Sequence, residues 1–245
     1  METSEQQSLD IQRIIWHEIG HLSIDILKVE SVKDIVINKL NISHINNISG
    51  TFNWFGCVEI LPEIAYSKIP EDRKVFAFYL VSLVSGCIFE TVYLTVYLGK
   101  DKSLVNCFDN KENCLGQQDY RDYQEIISNF YKLYDHHRGD MKLYSFLIND
   151  FIQNYFEKIL EWKGFFDKIK TIVEEEAKII LEKYREKPGN FTYDLTDELL
   201  VSLIDKVRSV ILDSKFDGFV ESTITNFIEF IEPYKPNLQS DGADN

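Results

Sequence analysis

The N-terminal part of the chain carries Trp16-His17-Glu18-Ile19-Gly20-His21, a match to HExxH. Four residues on an α-helix advance about 40° around the axis and about 6 Å along it, so His17 and His21 share a face one turn apart. Two imidazoles so placed can ligate one metal ion at about 2.0–2.1 Å each. Glu18 then stands beside the ion without coordinating it, where it can take a proton from a water that the ion activates. The residue types explain the order: two neutral nitrogen ligands, one base and an open coordination position. At this chain's own His and Glu frequencies the pattern arises by chance in roughly one such sequence in a hundred, so it is informative by itself. It does not extend to HExxHxxGxxH, because position 24 is Ile and position 27 is Leu. The metzincin arrangement is excluded, and a third ligand has to come from elsewhere.

Two carboxylates are candidates for that ligand. Glu90 lies inside the apolar run from Val75 to Leu98, where a solvated charge is hard to accommodate. Asp119 sits at the start of a helical pattern from Gln117 to Asp135. Projected at about 100° per residue, it lies nearer the Tyr123, Ile126, Ile127, Phe130 and Tyr134 face than Asp122 or Asp135 does. Spacing alone does not choose between Glu90 and Asp119. Other chemistry-bearing residues read more plainly. His44 and His136-His137 are read as surface polar residues, with no partner ligands at metal spacing. Glu174-Glu175-Glu176 is read as a solvated helix face, and the aromatic-rich stretch from Tyr144 to Phe166 as core or subunit contact. Cys57, Cys87, Cys107 and Cys114 form no CxxC pair and read as reduced thiols of a cytosolic protein.

The elements that must position these residues follow from periodicity. Apolar residues from Leu9 to Leu27 predict a first helix over Ser8 to Lys28. Val32 to Leu40 alternates and is β-branched, which predicts a strand; Ser49 to Val58 is read as a second strand after an Asn46-Asn47 turn. An apolar helix from about Asp72 to Leu98, a loop-like stretch to Gly116 and the Gln117 to Asp135 helix come next. The rest reads as entirely helical: Met141 to Trp162, Phe166 to Glu186, Asp194 to Leu212 and Phe219 to Ile231. Lys187-Pro188-Gly189-Asn190 breaks the middle pair. The fold class expected is α+β and mainly helical, a zincin-like HExxH helix with a small β-hairpin followed by a helical bundle. Residues 1–136 are expected to form the catalytic core and 137–236 a helical region packed on it as one continuous domain. Residues 237–245 are expected to be a disordered tail.

Composition limits the function classes. With 26 Lys+Arg against 40 Asp+Glu in 245 residues, the net charge is -14. An acidic surface repels phosphate backbones and anionic lipid, so nucleic-acid or membrane-surface binding is not expected. A membrane span through Val75 to Leu98 is long enough but would place Glu90 in lipid, so a buried core helix is expected instead. The polar stretch from Met1 to Asp10 carries no signal peptide, which fits a cytoplasmic protein.

The stretch Ile14-Ile15-Trp16-His17-Glu18-Ile19-Gly20-His21 resembles the HEAGH-bearing segment of FtsH-type zinc proteases, in their peptidase domain. Three further features fall in the family's order. Val32 to Leu40 with Gly50-Thr51 resembles its strand pair and GGxT turn. Ser85-Gly86-Cys87-Ile88-Phe89-Glu90 resembles its GGRAAE motif, and Leu115-Gly116-Gln117-Gln118-Asp119 its TGAxND segment. A weaker similarity runs from Ile172 to Leu181. The resemblance implies that His17, His21 and Asp119 hold zinc, that Glu18 is the general base, and that Glu90 orients a ligand histidine. It also implies that the strand around Gly50, Thr51 and Phe52 receives an extended peptide. The activity implied is hydrolysis of peptides or unfolded protein segments, with homo-oligomer formation left open. No GxxxxGK[ST] motif is present, so ATP-driven unfolding is not expected from this chain. A regulatory protein that binds zinc on the same scaffold without turnover is the competing expectation.

Overall fold

The computed structural model describes residues 4–45, 54–100, 115–134 and 141–233. The expected strand-turn residues Gly50, Thr51 and Phe52 lie outside the described residues. So do the Asn46-Asn47 turn, Cys107, Cys114, His136, His137 and the expected tail.

The fold is mainly helical with one small antiparallel sheet. Helix α1 (Ser4–Ser31) is followed by strands β1 (Val36–His44) and β2 (Trp54–Leu61). Helix α2 (Arg73–Val92) follows and ends in a π-helical turn over Tyr93–Tyr97. Then come α3 (Gln117–Tyr134), α4 (Met141–Ile159), α5 (Lys163–Glu186), β3 (Phe191–Leu195), α6 (Asp197–Ser214) and α7 (Phe216–Ile231).

Helix α1 is the axis of the molecule. It packs against α2, α5, α6 and both hairpin strands. Its apolar residues Ile11, Ile14, Ile15, Trp16, Ile19, Leu22, Ile24 and Ile26 are all at most 2% exposed, so it is buried on several faces at once. A helix buried all round ordinarily excludes polar groups, yet His17, Glu18, Asp25 and Lys28 are buried too. Helix α2 begins at an Asp72 cap, whose side chain accepts from the backbone N–H groups of Lys74 at 2.8 Å and Val75 at 3.0 Å. The apolar length that could cross a membrane, Arg73–Tyr97, has 89% of its most apolar window buried inside the protein. Helices α1, α3, α4 and α7 cover it.

The strands differ from the sequence expectation. The first is displaced toward the C-terminus of Val32 to Leu40, because the helix runs on to Ser31 before the chain turns. The expectation of an entirely helical C-terminal half is corrected by β3, which pairs antiparallel with β1 from Leu40↔Leu195 to His44↔Phe191. The sheet order is β2-β1-β3. Phe191 to Leu195 does alternate, with Tyr193 and Leu195 buried. Five residues between two helices give too short a pattern to stand out from the turn beside them. The strand exists because β1 offers it a ladder from about 150 residues away in sequence. His44, expected at the surface, is 4% exposed; its Nδ1 donates to Gly189 O at 2.9 Å, and its ring packs on Trp54 and Tyr184. Glu176 is also buried rather than solvated, because Lys206 from α6 reaches it at 3.4 Å.

Candidate metal centre

On α1, His17 and His21 project toward α2 and the first turn of α3. The close approach of α1 and α2 depends on two glycines. A Cβ at Gly20 would lie 2.8 Å from Gly86 Cα and against the Ser85 carbonyl, so the helix backbones pass nearly in contact. A Cβ at Gly86 would strike His21 and come within 2.9 Å of His17 Nε2. Gly20 thus brings the helices together, and Gly86 leaves the volume that the imidazoles fill.

The two Nε2 atoms are 3.1 Å apart, and Asp119 Oδ2 stands 3.0 Å from His17 Nε2 and 3.4 Å from His21 Nε2. A tetrahedral ion with bonds of about 2.0–2.1 Å has ligands spaced about 3.3–3.4 Å apart, so the triangle is close to that size. The opposite faces of the rings define the chemistry. His21 Nδ1 lies 2.9 Å from the carbonyl oxygen of Ser82, which can only accept, so this nitrogen carries a proton. His17 Nδ1 faces Glu90 Oε2 at 3.3 Å, a long contact with a carboxylate that favours N–H there. With both Nδ1 atoms protonated, a neutral ring presents a lone pair at each Nε2. Two lone pairs and the Asp119 oxygen, which is buried with no hydrogen-bond donor, then converge on one point. Such a convergence is repulsive unless a cation or a proton lies within it. His17, His21 and Asp119 therefore form a group that could hold a metal ion.

The titration of these groups reflects the same geometry. Burial works against charging His17, but the carboxylates of Asp119 and Glu90, with Glu18 further off, hold its pKa well above the ordinary value. Burial opposes charging His21 as well, and Asp119 raises it. Asp119 moves the other way: burial favours its neutral form, but His21 and His17 hold it below the usual carboxylate range. These are one mutual interaction seen from its partners, with a proton standing where a cation would.

Glu18 points to the other side of the helix stripe, toward β2. It is 2% exposed, and burial raises its pKa against the pull of His21 and His17. Its neighbour is Gly56, where a Cβ would lie 2.5 Å from Glu18 Oε1 and 2.6 Å from its Cδ. A glycine in β2 thus makes room for the carboxylate. A cleft of about 1140 Å³ opens above these residues, between β2 on one side and α2 with the start of α3 on the other. Strand β2 forms an edge of the sheet and runs along this cleft, pairing with β1 alone among the described residues.

No family model, curated protein or solved structure matches the chain. The structure brings together His17, His21 and Asp119, places Glu18 beside them and sets Glu90 behind His17. Four contributors were not found in the sequence. Ser82 offers a backbone carbonyl, which no side-chain pattern reports. Gly56 carries no signal without knowledge of the strand opposite. Gly86 stands within the segment already compared with GGRAAE, and Arg13 stands one turn before His17 on the same stripe. The stripe also continues past the site, where the buried Asp25 and Lys28 pair at 2.8 Å in the cleft wall.

Proposed function

We propose that this chain is a zinc metallopeptidase of the FtsH-like type, with a zincin-like arrangement of its HExxH helix. The observation that carries the reading is the convergence of two imidazole Nε2 atoms and the orphaned Asp119 Oδ2, with the buried Glu18 beside them. Two nitrogen ligands and one carboxylate, spaced for a tetrahedron with one corner open, suit zinc better than calcium or magnesium, which take six or more oxygens. A zinc ion held there would supply Lewis acidity toward a carbonyl oxygen and acidify a water.

The residues of the chain would do the rest. Glu18 would accept a proton from the attacking water and pass it to the leaving amine, a task suited to a carboxylate whose proton affinity burial has raised. Gly56 leaves Glu18 room beside β2, where a scissile bond would meet it. The edge of β2 would take an extended segment as an added strand, by main-chain hydrogen bonds that read little side-chain sequence. Peptides and unfolded segments are the substrates this implies. With a net charge of -14, basic or neutral segments would approach more readily than acidic ones.

The test is cleavage of an unstructured peptide library by zinc-loaded wild type and Glu18→Gln. Cleavage by the wild type that the variant loses supports the reading. Zinc bound by both with no cleavage by either would contradict it and leave a zinc-binding protein without turnover.

A further inference from the structure

We infer that Arg13 is a positioning residue for the metal centre, acting through Glu90 on His17. This rests on the proposal that His17, His21 and Asp119 hold a metal.

Glu90 is 0% exposed in the last turn of the apolar helix α2. A carboxylate buried that deeply needs a strong hydrogen-bonding partner, and a neutral imidazole is a weak one. Arg13 supplies it. Its Nε and Nη2 both donate to Glu90 Oε1, while Glu90 Oε2 faces His17 Nδ1. The carboxylate is thereby divided: one oxygen for the guanidinium, the other for the ring. Arg13 is four residues before His17, so the guanidinium and the two imidazoles follow one another at successive turns of α1. The arginine is itself largely covered, with 17% of its side chain exposed, which limits the competition from water.

The consequence is directional. Glu90, held with Oε2 toward the ring, favours the proton on His17 Nδ1 and leaves the Nε2 lone pair facing Asp119 and His21. Without the Arg13 guanidinium on Oε1, Glu90 would turn its Oε2 away from His17 Nδ1 more readily, and the preference for that tautomer would weaken. Partners behind a metal-ligating histidine are worth about 10–100-fold in metal affinity, and Arg13 stands one step further back along the same chain. His21 has a different support, the Ser82 carbonyl, which no side-chain substitution removes. The two ligand histidines are thus held by different means, and only one depends on Arg13.

The test is the zinc dissociation constant, measured by competition with a fluorescent chelator, for wild type, Arg13→Met, Arg13→Lys, Glu90→Gln and the Arg13→Met/Glu90→Gln double variant. Arg13→Met should weaken zinc about 10-fold or more. Arg13→Lys should fall between it and the wild type, since lysine keeps the charge but loses the fork. In the Glu90→Gln background Arg13→Met should cost less than about 2-fold, because its route to His17 is already cut. The visible spectrum of the cobalt-substituted protein should change in Arg13→Met, a readout that a mere loss of packing leaves alone. Wild-type zinc affinity in Arg13→Met, or an undiminished loss in the Glu90→Gln background, overturns the inference. If Arg13→Met does not fold, Arg13→Lys carries the test, and wild-type affinity there overturns it. A wild-type protein that binds no zinc overturns the metal reading first, an outcome distinct from zinc bound equally by every Arg13 variant.

Discussion

Two regions of this molecule are packed by opposite rules. In the C-terminal body, aromatic rings fill the space between helices. Phe165 stacks on Phe216 at 4.3 Å, Phe151 on Phe227 at 4.1 Å, and Trp162 lies against both Phe216 and Phe219. The glycines there, Gly164 and Gly218, face open space. Where α1 meets α2 and β2, Gly20 lets the two helix backbones approach, and Gly56 and Gly86 leave space that Glu18 and the two histidines occupy. One region gains stability from apolar area and ring contacts. The other gives up such area to hold Glu18, Glu90 and His17 out of water, with His21 partly exposed beside them, where each needs a specific partner. Substitutions should therefore separate the two regions by what they damage, function in one and stability in the other.

The largest expected effect is on turnover. Glu18→Gln should lower peptide cleavage by about 10²–10⁴-fold while keeping one zinc per chain and the fold, since the amide removes a buried charge and no ligand. A variant that cleaves normally would end the assignment of Glu18. Next, Phe216→Ala should destabilise the body by about 3–5 kcal/mol in denaturant unfolding, with the folded fraction still binding zinc as the wild type does. Loss of zinc from the folded variant would mean that the two regions are not separable. Gly86→Ala should displace the imidazoles and weaken zinc by about 10-fold or more, whereas Gly218→Ala should leave zinc untouched and change stability by about 1 kcal/mol or less, in the stabilising direction. Equal behaviour of these two glycine variants would remove the contrast.

A pH series gives a smaller and signed effect. In the metal-free protein both histidines have raised pKa values, so their protonated forms add stability that is complete below about pH 6.5 and lost as pH rises through the raised values. Zinc bound there would require the neutral rings and displace those protons. The rise in Tm on adding zinc should therefore grow between about pH 6 and about pH 8 in a thermal melt. A zinc effect that shrinks over that range would contradict the shared site.

The comparison also explains what could be read in the sequence. The apolar body was legible as helices, because its pattern has the helical period and tertiary packing agrees with local preference. The β3 strand was not, since five residues carry little period and its partner β1 lies far away in sequence. At the centre, the HExxH stripe and the face of α3 bearing Asp119 were legible from spacing, and Tyr123, Ile126, Ile127, Phe130 and Tyr134 are the buried residues of that helix. The choice between Asp119 and Glu90 was not legible from spacing. It depends on how α2 and α3 meet α1, and the structure sets Asp119 at the Nε2 atoms and Glu90 at Nδ1. His44 was misread because burial of a single polar residue follows from strand pairing and from a carbonyl at Gly189, neither of which leaves a local trace.

The most direct test of the central claim is metal stoichiometry by elemental mass spectrometry, on zinc-loaded and desalted wild type beside Asp119→Ala. The account predicts one zinc per chain in the wild type and its loss in the variant, with the fold kept by circular dichroism. No zinc in the wild type, or a full equivalent retained without Asp119, would contradict it.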